Sequence, residues 1–222
     1  MDLNVIWLAS YTIAISATLI LSAYFFREYS AKKLRTSLAW SIGLLLYAVS
    51  QLGHVFATVY GEITLGKPVL LIVIMPLAVA LTLFYYGTSV LFFKSGSVYR
   101  ERVPLILFIF YVVYLVIIVV IFPEEGFIDK AAAPIELVVI LPIFLVIAFL
   151  FYRLSRRIPP EDPSKQIVFI VSLGWFLAAV DAFYLALFLG SSGITDSLIN
   201  IVHAAAWLLI LYGMALGKAA RI

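Results

Sequence analysis

Four ionisable side chains sit inside long apolar runs: His54, Glu136, Asp181 and His203. A carboxyl or imidazole group held away from water is costly, so each needs a partner and invites a reading in protons, ions or polar solutes. An acid and two imidazoles can relay a proton, grip a small hydrogen-bonding molecule or ligate a metal. Each group except Glu136 belongs to a polar stripe at helical spacing. One stripe is Tyr47, Ser50, Gln51 and His54; a second is Asp181 with Tyr184, behind the small residues Gly174 and Ala178; a third is Asp196, Asn200, His203 and Trp207. The expected ligand-binding set is Asp181, His54 and His203, supported by Gln51, Asn200 and Tyr184. In it Asp181 is a charge or proton acceptor and the histidines are donors or relays.

Three readings of this set stay open. It can be a polar network that pins helices together, a site for a solute, ion or proton, or a haem or metal site. For the last, His54 and His203 would be axial ligands, or would join Asp181 and Glu136 around a divalent ion. No spacing such as HxxxH or HExxH puts two ligands on one helix, and no metal or other cofactor is assigned. Glu136 alone also suits a helix N-terminus, where the dipole favours an anion. Asp181 carries the most weight, because it breaks an internal symmetry set out below. No serine nucleophile, glycine-rich phosphate loop or catalytic carboxylate pair can be assembled, so the chain is not read as an enzyme.

The elements that hold these residues are membrane spans. The chain is 65% hydrophobic and 12% charged, with a mean hydropathy of +1.15, which leaves too little charge for a water-facing surface. Seven apolar runs of about 20 residues match the hydrocarbon thickness of a bilayer. They lie near 5–26, 36–60, 68–93, 103–122, 132–153, 166–189 and 197–217. The expectation is an all-α polytopic protein of the cell membrane, with one transmembrane domain spanning 1–222. The start of the first run carries Asp2 and no basic residue, unlike a signal peptide.

Orientation follows from the basic residues. Arg27, Lys32, Lys33 and Arg35 follow the first run; Lys94, Arg100 and Arg102 follow the third; Arg153, Arg156, Arg157 and Lys165 follow the fifth; Lys218 and Arg221 end the chain. Only Lys67 and Lys130 fall on the other side, so the N-terminus is expected outside and the C-terminus in the cytoplasm. All four buried ionisable groups then fall in the outer half of the bilayer. His54 and His203 lie roughly 9 Å deep and Asp181 roughly 12 Å, at 1.5 Å per residue.

The last third of the sequence repeats the first. Phe25-Phe26-Arg27 recurs as Phe151-Tyr152-Arg153, and Ser41, Gly43, Leu46, Ala48 and Val49 recur as Ser172, Gly174, Leu177, Ala179 and Val180. Leu83, Tyr86 and Gly87 recur as Leu209, Tyr212 and Gly213. The offsets are 126, 131 and 126. Parallel three-helix repeats, about 5–93 and 132–217, would thus flank a linker helix at about 103–122. Asp181 stands where the first repeat has Ser50, and a charge that breaks this symmetry is hard to explain by packing alone. The Tyr-Gly pairs suit tight packing with an interfacial tyrosine, or a pseudo-symmetric gate. Trp40 and Trp175 suit packing or lining. Gly213 and Gly217 form a small-xxx-small pair. Pro76 and Pro142 interrupt helices three and five; Pro123 closes helix four, and Pro134 suits a first helical turn. Pro123-Glu124-Glu125 reads as a solvated outer turn.

Absence of cysteine excludes disulfides and thiolate chemistry. The chain's net charge is +3, and its basic residues are expected mainly on the cytoplasmic face, where they meet anionic lipid and need no nucleic acid. Two Asn, two Gln and three Met agree equally with a hyperthermophilic source and with the amide-poor habit of membrane chains.

In its three-plus-one-plus-three plan, outward N-terminus and length, the chain resembles the SWEET sugar transporters and the wider set containing PQ-loop proteins and microbial rhodopsins. It departs from their motifs. Helices one and five lack the Pro-Gln pair, and 197–217 holds no lysine for retinal, Lys218 lying beyond it. An aromatic-rich second helix after a basic loop is similar to seven-helix input modules of prokaryotic signalling proteins. The first resemblance implies transport of a small solute, ion or proton, and the polar stripes put the expected cavity in the outer half, between helices two, six and seven. The second implies a receptor signalling to a cytoplasmic partner. Homo-oligomer formation stays open.

Overall fold

The computed structural model describes residues 5–60, 62–121, 134–188 and 194–216. Asp2, Pro123, Glu124, Glu125, Lys130, Gly217, Lys218 and Arg221 lie outside the described residues, and so do the roles expected of them. Apart from the short connections 33–34, 93–97 and 158–163, the described residues are helical, and no strand occurs among them. We number the helices α1 (Val5–Lys32), α2 (Arg35–Tyr60), α3 (Glu62–Phe92), α4 (Val98–Ile121), α5 (Glu136–Arg157), α6 (Ser164–Phe188) and α7 (Ile194–Leu211). Among the described residues, seven helices are long and apolar enough to cross a bilayer, the mark of a multi-pass membrane protein in contact with lipid.

Several helices outrun the apolar stretches that announce them, since a helix satisfies its own backbone in water as in lipid. α1 continues through an ion pair between Lys32 Nζ and Glu28 Oε1 (3.3 Å). It stops at Lys33, whose φ of 53° is the left-handed conformation that closes helices. The Lys33 amide donates to the Tyr29 carbonyl (2.7 Å), and its ammonium lies 5.3 Å from the Tyr29 ring centre. α5 begins with a π-helical turn at Glu136–Ile140. Pro142 follows and has no N–H to offer the carbonyl of Val138, so the ladder widens there instead of simply kinking. A second π turn, Tyr212–Leu216, extends α7.

The contacts divide the chain into two compact units, residues 22–135 and residues 1–21 with 136–222. In the first, α2 packs against α3 and α3 against α4. Its core is aromatic, with Trp40 stacked on Phe84 (5.3 Å) and on Phe25 (6.0 Å). Two serines lock α1 to α2: Ser22 Oγ donates to the Ser41 carbonyl (2.8 Å) and Ser41 Oγ to the Ser22 carbonyl (3.0 Å). Lipid tails provide no apolar driving force between helices, so such bonds and close backbone approach carry the association. Close approach comes at Gly43, where a Cβ would lie 3.0 Å from the Phe84 ring, and at Gly87, where it would lie 2.9 Å from the Trp40 ring.

The second unit packs α5 on α6 and α6 on α7. Ser172 Oγ donates to the Ala148 carbonyl (2.8 Å). A Cβ on Gly174 would meet Ile210 Cγ1 at 2.7 Å, and one on Gly213 would overlap Val171 Cγ2. Trp175 and Trp207 are fully buried and meet edge to face at 5.8 Å, with Phe144 5.1 Å from Trp175. Trp40 and Trp175 are therefore core residues. Tyr212 is 48% exposed, whereas its neighbour Gly213 is buried.

Candidate functional site

Two turns along α6 from Gly174, the face that meets α7 turns polar. Asp181 is 8% exposed and His203, on α7, is 5% exposed. Imidazole Nδ1 and carboxylate Oδ2 are 2.7 Å apart. With the carboxylate ionised, Nδ1 carries a hydrogen and donates it; Nε2 is then a lone pair in the neutral ring and an N–H in the imidazolium. That second nitrogen is buried and has no hydrogen-bond partner among the described residues. The shared proton and the open nitrogen are on one ring, so the pair can take up a proton or accept a hydrogen bond from a solute. A metal would also find a lone pair there, but no group of three or more His, Asp or Glu side chains gathers among the described residues.

Further polar groups surround the pair in the same unit. The Tyr11 ring of α1 stacks on His203 with centroids 5.2 Å apart and planes at 22°. Trp7 lies against Tyr11 at 4.7 Å. Ser10 Oγ, one residue before Tyr11, has two acceptors in reach of its single hydrogen, the Trp7 carbonyl at 3.1 Å and Asn200 Oδ1 at 3.4 Å. Asn200 is one turn before His203 on α7, and its Nδ2 donates to the Asp196 carbonyl (2.8 Å). Glu136 is half-buried in the π turn that opens α5.

Of the residues expected from sequence, Asp181, His203 and Asn200 thus fall in one buried cluster. Tyr184, one turn beyond Asp181, is half-buried. Gln51 and His54 belong to the other unit, on the α2 stripe where Tyr47 and Ser50 are buried. Both are half-buried; Gln51 Oε1 has no hydrogen-bond partner among the described residues, and the His54 carbonyl accepts from Thr58 Oγ1 (3.0 Å). Sequence reasoning missed the contribution of α1. Trp7, Ser10 and Tyr11 do fall on one helical face, but an aromatic near a span end reads first as an interfacial anchor.

No family model, curated protein or solved structure matches this chain.

Proposed function

We propose that this chain is a carrier in the cell membrane that binds a small solute or ion from the outer side and passes it inward, with Asp181 and His203 as its proton-binding pair. One observation carries the reading: a buried imidazole that is hydrogen-bonded on one nitrogen and open on the other. Leaving a buried polar atom unmatched costs about 1–3 kcal/mol, and a network serving only to pin helices would be expected to close it. Asn200, Ser10 and Tyr11 supply further hydrogen-bonding and stacking groups. His54, Gln51 and Tyr184 join the proposal as polar residues in the outer half of their spans. The outward N-terminus rests on the distribution of Lys and Arg.

The internal repeat is part of the proposal, and three pairs of contacts support it. Ser41 with Ser22 corresponds to Ser172 with Ala148, Gly43 with Phe84 to Gly174 with Ile210, and Gly87 with Trp40 to Gly213 with Val171. Each pair is related by the offsets of 126 and 131 found in the sequence. Asp181 then stands as a deliberate departure from Ser50, in keeping with a binding role.

The test is flux. Purified protein is reconstituted in liposomes containing a pH-sensitive dye, and a membrane potential is imposed. Protein-dependent proton entry is expected. Vesicles no leakier than protein-free ones, with or without a panel of small polar solutes, would remove the carrier reading and favour a receptor module.

A further inference from the structure

Away from the Asp181–His203 pair, the α5–α6 face holds two adjoining hollows of opposite character. One, of about 340 Å³, lies at the turn between the helices and is lined by Tyr152, Arg156, Glu161, Asp162, Lys165 and Phe169 among others. The other, of about 440 Å³, runs along the membrane-spanning part between Leu145, Phe149, Tyr152, Phe169, Leu173 and Phe176. Tyr152 and Phe169, with ring centres 6.5 Å apart, line both hollows. The result is a charged cup at the end of an apolar groove.

The charges of the cup are unequally engaged. Asp162 Oδ1 accepts hydrogen bonds from the Ser164 amide (2.8 Å) and hydroxyl, so its charge is spent at the start of α6. Ser155 Oγ is likewise committed, donating to the Tyr152 carbonyl (2.7 Å). Neither Arg156 nor Lys165 forms an ion pair among the described residues. Arg153 and Arg157 add two more exposed cations at the same helix end, against Glu161 and Asp162. In the groove, Phe149 is 57% exposed, and the Ser172 hydroxyl is bonded to the Ala148 carbonyl. Pro159, Pro160 and Pro163 stiffen the turn that forms the cup.

We propose that this face is a binding site for one anionic phospholipid, its phosphate held by Arg156 and Lys165 and an acyl chain lying in the groove past Phe149 and Phe176. A basic pocket beside spanning helices matches a lipid headgroup in charge, and the adjoining groove matches its tail in polarity and direction. A free phosphate would use only the cup, and a zwitterionic lipid would gain nothing from its net charge.

Native mass spectrometry of the full-length protein, released from mixed micelles of phosphatidylglycerol and phosphatidylcholine, tests this. Two surface cations should favour the anionic lipid by about thirtyfold, and Arg156→Gln with Lys165→Gln should abolish that preference while leaving the helical circular dichroism unchanged. Phe149→Ala with Phe176→Ala should weaken retention of both lipids equally. Equal retention of the two lipids by the unsubstituted protein would overturn the proposal and leave only a bulk lipid shell. So would a preference that survives the charge substitutions, or stabilisation by inorganic phosphate equal to that by phosphatidylglycerol. A double substitution that alters the oligomeric state but not lipid retention would assign the face to a second copy of the chain instead.

Discussion

Asp181→Asn is expected to cut protein-dependent proton flux by about ten- to hundredfold while the helix bundle stays folded. The size follows from the value of a hydrogen bond to a charged group, about 1.5–3 kcal/mol. Asparagine keeps the shape of the side chain, and its carbonyl oxygen can still accept from His203 Nδ1 across the observed 2.7 Å. What it loses is the charge and the ability to take up a proton. Asp181→Leu gives the contrasting outcome, because it leaves Nδ1 buried without an acceptor and is expected to lower stability by about 1–3 kcal/mol. Flux is read in the dye-loaded liposomes and stability by thermal unfolding in detergent. If the asparagine variant keeps full flux and only unfolds earlier, the pair is a structural pin.

Gly174→Leu should do the greater damage to the fold. A Cβ at this position would lie 2.7 Å from Ile210 Cγ1 and 3.0 Å from the Ala206 carbonyl oxygen and the Ile210 amide nitrogen. Two of those three atoms are backbone, so rotamer changes cannot make room, and α6 and α7 must part. Overpacking of this kind costs about 1–3 kcal/mol, with the rest of the leucine side chain pressing toward the upper end. Separation would also strain the contact of Trp175 with Trp207 and, two turns away, the bond between Asp181 and His203. Loss of monodisperse protein on size exclusion, or a sharp fall in melting temperature, is the expected readout. Phe183→Leu, at an exposed position on the same helix, should change neither. A Gly174→Leu protein as stable as the parent would mean that α6 and α7 do not pack as described.

Why some of this could be read from sequence and some not is a matter of physics. The spans were legible because a bilayer filters composition so harshly that long runs of uncharged residues have few other uses. Asp181 and His203 were legible as individuals, since an ionisable group in such a run is expensive, and helical rise alone put them at similar depths. Their contact was not legible, because depth fixes one coordinate and leaves position in the membrane plane undetermined. Tyr11 and Ser10 escaped notice for a related reason: neither a tyrosine nor a serine near a span end is costly enough to demand explanation. Pro142 announced an irregularity in α5, but a missing N–H permits a kink or a widened turn alike, and the π turn that carries Glu136 is the outcome only coordinates could supply.

The most direct test concerns the open nitrogen of His203. The chain holds only two histidines, so His54→Gln leaves this ring as the sole imidazole. Solid-state nitrogen NMR on 15N-histidine-labelled protein in bilayers then reports the protonation and exchange of both ring nitrogens. Nε2 of His203 is expected to exchange protons with the bulk phase while the bundle stays folded, and Asp181→Asn is expected to alter that exchange. A ring fixed in one tautomer throughout, with Nε2 closed to proton exchange, would contradict it.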